Sequence, residues 1–281
     1  MAIKDLLVAY DGHEASEKAL EFALRMGMKY GAAVSGIYVM PRETYDTRIR
    51  QWLSADVQEG LAAARRESAQ SIVAKFNAHI AKSGFSGTTG FLVEEGQADL
   101  TLARAARFFD VLLIGQFITA FKSENRTVDP AELLLRAGKP VIIVPRDYVV
   151  RPFKEAAAIA WDGSRYAARA LTDAMQILET KKKLDVLTVV NDPHADAQAH
   201  ASMPGLDIVV HLGRHGIAAE HVAVDASHAP VGKALLDHCA RTDPDVLVMG
   251  AYGRGTFGAQ LFGGVTRYIL EHQNVPVLLS H

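Results

Sequence analysis

Residues 6–26 read LLVAYDGHEASEKALEFALRM, and residues 157–177 read AAIAWDGSRYAARALTDAMQI. Each is a short apolar run that closes on aromatic-Asp-Gly and passes into a segment whose apolar residues recur at helical spacing. The matching residues Asp11 and Asp162 stand about 150 residues apart, so the recurring unit has the size of a domain and not of a short solenoid repeat.

The order of elements recurs as well. After the first run, Val34–Val39 predicts a strand, residues 54–83 a long amphipathic helix, Thr88–Val93 a strand and Asp99–Arg107 a short helix. The apolar run Asp110–Gly115, a helix at Pro130–Ala137 and the run Pro140–Pro145 complete the first copy. The second copy gives strands at Leu184–Val190, His221–Asp225, Asp245–Gly250 and Pro276–Ser280, with helices at Leu206–His215, Val231–Arg241 and Gly264–His272. Strands that are apolar on both faces and alternate with helices predict a mostly parallel sheet covered on each side. Residues 1–147 and 154–281 are the expected domains, joined by a linker around Arg146–Glu155 that contains Pro152.

Composition narrows the functions. The 281 residues are 49% hydrophobic and 22% charged, enough apolar side chain for packed cores, and the formal charge is −2, spread evenly over both copies. That balance argues against a nucleic-acid footprint or an anionic membrane surface. No apolar run reaches the ~18–20 residues of a membrane span, and MAIKDLLVAYDG lacks the features of a signal peptide. Cys239 is the single cysteine, which fits a reducing compartment, so a cytoplasmic location is expected.

In an open parallel sheet, ligands bind beyond the carboxyl ends of the strands. In the second copy those places are Asp162, Val189–Asp192, Asp225–Ser227 and the segment Gly250-Ala-Tyr-Gly253-Arg254-Gly255-Thr256-Phe-Gly258-Ala-Gln-Leu-Phe-Gly263-Gly264-Val265-Thr266. Glycines let main-chain N–H groups approach an anion, and a helix start adds unpaired donors and a favourable dipole. The segment lacks the Gly-Lys-Ser/Thr of P-loop proteins and the dinucleotide spacing.

Gly250, Gly253 and Gly263 reproduce the Gly-x2-Gly-x9-Gly pattern of the ATP-binding universal stress proteins, and Val265-Thr266 continues it. The chain resembles a tandem member of that family over nearly its whole length. The resemblance implies two Rossmann-like α/β domains of the adenine nucleotide alpha hydrolase-like type, each a five-stranded parallel sheet with helices on both faces. It also implies an internal pseudo-dimer joined through Val141–Val144 and Val277–Leu279, and leaves room for a homodimer of whole chains. Carried over residue by residue, Asp162 lies near the nucleoside, Val189 near the base, and Gly250, Gly253, Arg254, Gly263, Gly264, Val265 and Thr266 around the phosphates. The implied ligand is ATP, with ADP or AMP as variants and Mg²⁺ as a companion. Gly264 departs from the pattern, which has a hydroxyl there, so a main-chain N–H or Thr266 would have to replace a hydrogen bond worth ~1.5–3 kcal/mol.

The first copy keeps Asp11 but follows Gly115 with Phe117, Ile118, Phe121, Glu124 and Asp129, and no glycine returns before Gly138. Bulky and acidic residues there predict no triphosphate pocket and leave a structural role or a different ligand. Asp11 and Asp162 are also favoured helix N-cap types, and Arg254 is equally readable as a phosphate partner or a solvated side chain. His211 and His215 share a helix face, yet two ligands are too few for a metal. Cys239 reads as a buried small hydrophobe, and Leu61, Ala64, Ser68, Ile72 and Phe76 as the packed side of the long helix. No Gly-x-Ser-x-Gly elbow or His-Glu-x-x-His pair is present. The expectation is a stress-response protein whose C-terminal domain binds an adenine nucleotide as a signal, with slow ATP hydrolysis at most; a hydrolase and a ligand-free interaction protein are the rivals.

Overall fold

The computed structural model describes residues 3–41, 53–116, 128, 130–191, 206–251 and 263–281. The first half comprises β1 (Asp5–Ala9), α1 (Glu14–Tyr30), β2 (Ala33–Pro41), α2 (Ala55–Ser83), β3 (Thr89–Gly96), α3 (Ala98–Ala106), β4 (Val111–Gly115), α4 (Pro130–Ala137) and β5 (Val141–Val144). The second comprises β6 (Ala156–Ala160), α5 (Arg165–Leu178), β7 (Lys183–Val190), α6 (Ile208–Arg214), β8 (Ala219–Asp225), α7 (Val231–Thr242), β9 (Leu247–Gly250), α8 (Gly264–His272) and β10 (Val277–Ser280). The elements follow the sequence pattern closely, with α4 and α8 at the expected bounds.

All ten strands form one sheet, in the order β3-β2-β1-β4-β5-β10-β9-β6-β7-β8. Within each half every pairing is parallel. The halves meet where β10 runs antiparallel to β5, with Leu278 opposite Ile142. This joint leaves neither four-residue strand as an exposed edge. Alternation along the strands feeds two cores: Leu6, Val8, Ile142 and Leu278 face one helix layer, Leu7, Val141, Ile143 and Leu279 the other. Both cores run through both halves. The outer strands differ from the expected two-sided burial, because β3 exposes Leu92 and Val93 and most of β8 is open.

Local chemistry explains the boundaries. Ser54 caps α2 by accepting from the Val57 N–H, and Ser164 caps α5 by accepting from Ala167 at 3.2 Å. The long helix buries Ala69, Ile72 and Phe76 only; Ser68 lies outside the core, for a reason given below. At the start of each half an aspartate ties the chain to a strand: Asp110 accepts from the N–H groups of Lys4 and Asp5, and Asp245 from those of Lys154 and Glu155.

The linker packs between the halves. Phe153 meets Phe22 edge-on, and its ring centroid lies 5.9 Å from the Arg25 guanidinium, 5.6 Å from the Lys29 ammonium and 5.1 Å from that of Lys181. Gln116 donates to the Leu270 carbonyl at 3.0 Å and Gln273 to that of Ile143 at 3.1 Å, so each half supplies one amide to the other across the joint.

Candidate nucleotide site

In the order 8-7-6-9-10 the direction of winding reverses between β6 and β9, which is where an open α/β sheet offers a crevice at its carboxyl end. Asp162 follows β6 and Gly250 ends β9, so the two flank that crevice. Asp162 is exposed, and its Oδ1 accepts from the Ser164 N–H at 2.9 Å. Asp11 does the same with His13 at 3.0 Å. Neither aspartate caps a helix, which corrects that alternative: the cap positions are Ser164 and His13. Each carboxylate holds the turn with one oxygen and keeps the second for other partners.

Gly250 is set by packing. A Cβ there would stand 2.7 Å from the main-chain carbon of Tyr166 and 2.9 Å from the Ala167 nitrogen. Gly115 meets the same restriction, with the Ala15 carbonyl oxygen 2.1 Å from its Cβ position. The first glycine of the motif therefore lets the following strand pass under the helix start in both halves, whatever the ligand.

Gly263 is the cap position of α8, and the N–H groups of Gly264, Val265 and Thr266 form its first turn, without carbonyl partners inside the helix. Gly264 is exposed, and among the described residues no atom beyond its chain neighbours and its own helix backbone lies within 4 Å of a Cβ built on it. Thr266 corrects one expectation: its hydroxyl is buried and donates to the Ala251 carbonyl at 3.1 Å, which leaves its main-chain N–H as the group it can offer. Val265 is half-buried against the core, and Val189 is half-buried at the end of β7 in register with Val224. Gly253 and Arg254 lie outside the described residues, as do Phe117, Ile118, Phe121, Glu124 and Asp129 of the first half.

Two further groups mark this end of the sheet. Asp225, past β8, accepts from the Ser227 N–H at 2.9 Å and from Asn191, and these bonds, the Ser227 N–H foremost, hold its carboxyl below the usual range. Arg165, which sequence reading passed over, begins α5; its guanidinium donates to the Tyr166 hydroxyl at 2.6 Å and lies 4.7 Å from that ring's centroid. Its only signal in the sequence was a position three residues after Asp162.

The first half carries a cavity at the equivalent place, about 390 Å³, between the ends of β1, β2 and β4 and one side of α2. Elsewhere, His211 and His215 contact each other with ring centroids 4.9 Å apart, and among the described residues no group of three or more His, Cys, Asp or Glu could hold a metal. Cys239 is a free, buried thiol. Among the described residues no helix is long and apolar enough to cross a membrane.

An open parallel α/β sheet in each half, with its strand order reversing next to an aspartate turn, defines a protein of the Rossmann-like class. The universal stress protein family matches residues 2–116 and 157–281, and the chain belongs to that family as two copies in tandem. Among solved structures, a universal stress protein from Archaeoglobus fulgidus aligns with a TM-score of 0.70 at 19% identity, covering 98% of this chain and 95% of that one. A functionally unknown protein from Pseudomonas aeruginosa aligns at 0.57 and 15% identity, covering 99% and 92%. These likenesses are of fold. No curated protein matches the sequence.

Proposed function

We propose that the C-terminal half binds an adenine nucleotide, ATP with ADP or AMP as variants, as a regulatory ligand, and that the two halves serve as an internal pseudo-dimer in which this site is read by a partner. The observation that carries the reading is the start of α8: the main-chain N–H groups of Gly264, Val265 and Thr266 have no carbonyl partner inside the helix on one side of the crevice, and Asp162 stands on the other. A helix start of this kind favours phosphate, and the free oxygen of Asp162 suits a ribose hydroxyl. Arg165 adds a cation at the same end, and Mg²⁺ would accompany a triphosphate. In this reading the free oxygen of Asp162 is taken by the ribose and Asp225 accepts from the Ser227 N–H, which supports binding without rapid hydrolysis.

Mass spectrometry of small molecules released from the purified protein, followed by calorimetry with ATP, ADP and AMP, tests this. Asp162→Asn keeps the Oδ1 acceptor for Ser164 while removing the charge; it should weaken nucleotide binding about tenfold, a charge-assisted hydrogen bond, without moving the melting temperature. ATP turnover well above background and lost in Asp162→Ala would favour the hydrolase reading. Absence of any bound or titratable nucleotide would leave the protein as an interaction module.

A further inference from the structure

The cavity of the first half has a chemistry of its own. Its volume of about 390 Å³ lies within the ~300–1,000 Å³ of small-molecule sites. Ser68, Ser71 and Lys75 line it from α2, at spacings of three and seven residues that place them on one helix face. Of the stripe Leu61, Ala64, Ser68, Ile72 and Phe76 only Ile72 and Phe76 are buried, and Ser68 faces this cavity. The second half has no counterpart of this wall among its described residues, since α6 spans seven residues where α2 spans 29.

Lys75 is held over the Asp11 turn: Gly12 has φ +76°, and a Cβ there would meet Lys75 Cδ at 3.1 Å and Nζ at 3.6 Å. Lys75 and Asp11 share the cavity, yet no ion pair joins them among the described residues. Tyr10, another lining residue, is 1% exposed, and its hydroxyl is buried with no hydrogen-bond partner among the described residues. A buried hydroxyl without a partner costs ~1–3 kcal/mol unless a ligand or water supplies one. Ile37, Val39, Ile72 and Leu102 give the cavity an apolar side, and His13, Ser16 and Tyr38 complete its polar one.

We infer that this cavity is a second ligand site, distinct in chemistry from the nucleotide site, that takes a small organic monoanion of the hydroxy acid class: a carboxylate for Lys75, a hydroxyl for Asp11 or Tyr10, and an apolar body. Among the described lining residues Lys75 is the one ammonium and Asp11 the one carboxylate, so a single fixed cation is offered, enough to pair one carboxylate and too little to offset a triphosphate. The inference does not depend on nucleotide binding by the other half.

The probe is phenyllactate, which carries those three features, titrated against the full chain by saturation-transfer NMR and calorimetry. Wild type should bind it. Lys75→Gln should weaken binding at least tenfold while Lys75→Arg retains it, and Tyr10→Phe should weaken it severalfold. Saturating ATP should leave it in place. The inference is overturned if wild type shows no transfer, if Lys75→Gln binds as well as wild type, or if ATP displaces the probe and Lys75→Gln abolishes ATP binding, which would make the cavity an ordinary nucleotide site. Lys75 lies at the surface, so its variants fold, and unchanged circular dichroism checks that they do.

Discussion

The end of β9 passes so close to the start of α5 that Gly250 and Tyr166 leave no room for a methyl group between them: a Cβ on Gly250 would stand 2.7 Å from both the main-chain carbon and the Cβ of Tyr166. This contact fixes where Asp162 and Arg165 sit relative to the end of β9. Gly250→Ala must push the strand and helix apart, and overpacking of this kind costs about 1–3 kcal/mol. Chemical denaturation should show that loss, with Gly115→Ala behaving alike. An unchanged midpoint would mean that the helix start shifts freely.

Gly264 gives the opposite result. Gly264 is exposed and meets no described residue at its Cβ position, so Gly264→Ser leaves stability within about 0.5 kcal/mol while placing a hydroxyl at the start of α8. ATP affinity measured by calorimetry should rise about tenfold, as for a hydrogen bond to a charged group. No gain would argue that phosphates do not reach this turn.

Lys181 and Asp245 form a buried pair at 2.7 Å, their side chains 2% and 3% exposed, with Phe153 of the linker over the ammonium. Lys181→Met leaves the carboxylate with two main-chain donors but no counter-charge, and should cost about 3 kcal/mol. Because both cores are continuous across the sheet, urea unfolding should remain a single transition at a lower midpoint. Lys154→Met, which removes a half-exposed partner of Asp243, should cost less than about 1 kcal/mol.

Alkali should destabilise the fold through its tyrosines. Burial pushes the hydroxyls of Tyr10, Tyr30 and Tyr148 up to about 12, from an ordinary 10.0. Between those values the unfolded chain releases protons that the native state keeps, so stability falls as pH rises, by up to about 2.7 kcal/mol for each fully buried group. Burial pulls Lys181 below 10.5, which acts in the other sense up to that pH, so the decline is read above it. Tyrosinate absorbance should appear together with unfolding. Tyr10→Phe should reduce the slope, and at neutral pH it should stabilise the unliganded protein by ~1 kcal/mol or more, because its hydroxyl has no partner among the described residues.

Much of this architecture was legible in the chain itself. The twofold recurrence of aromatic-Asp-Gly and the alternation of apolar runs with helical segments led to the parallel halves, while the pairing edges Val141–Val144 and Val277–Leu279 came from the family resemblance. Such patterns are local: side-chain periods of two and 3.6 residues declare a strand or a helix without reference to distant parts. The candidate residues Asp162, Val189 and Gly250 stand at the carboxyl ends of β6, β7 and β9, and Gly263, Gly264, Val265 and Thr266 at the start of α8, whereas Gly253 and Arg254 fall outside the described residues.

Sequence by itself determined which segments are strands and helices and that the chain is a doubled unit, because those follow from the order of apolar and polar residues over a few turns. Only the tertiary structure decided what individual residues are for. Gly250 answers to Tyr166 across 84 residues, Thr266 spends its hydroxyl on Ala251, and Lys75 crosses to the Asp11 turn to share a cavity with Tyr10. Each of these depends on the close approach of atoms far apart in the chain, and spacing along one segment carries no record of the distance to another.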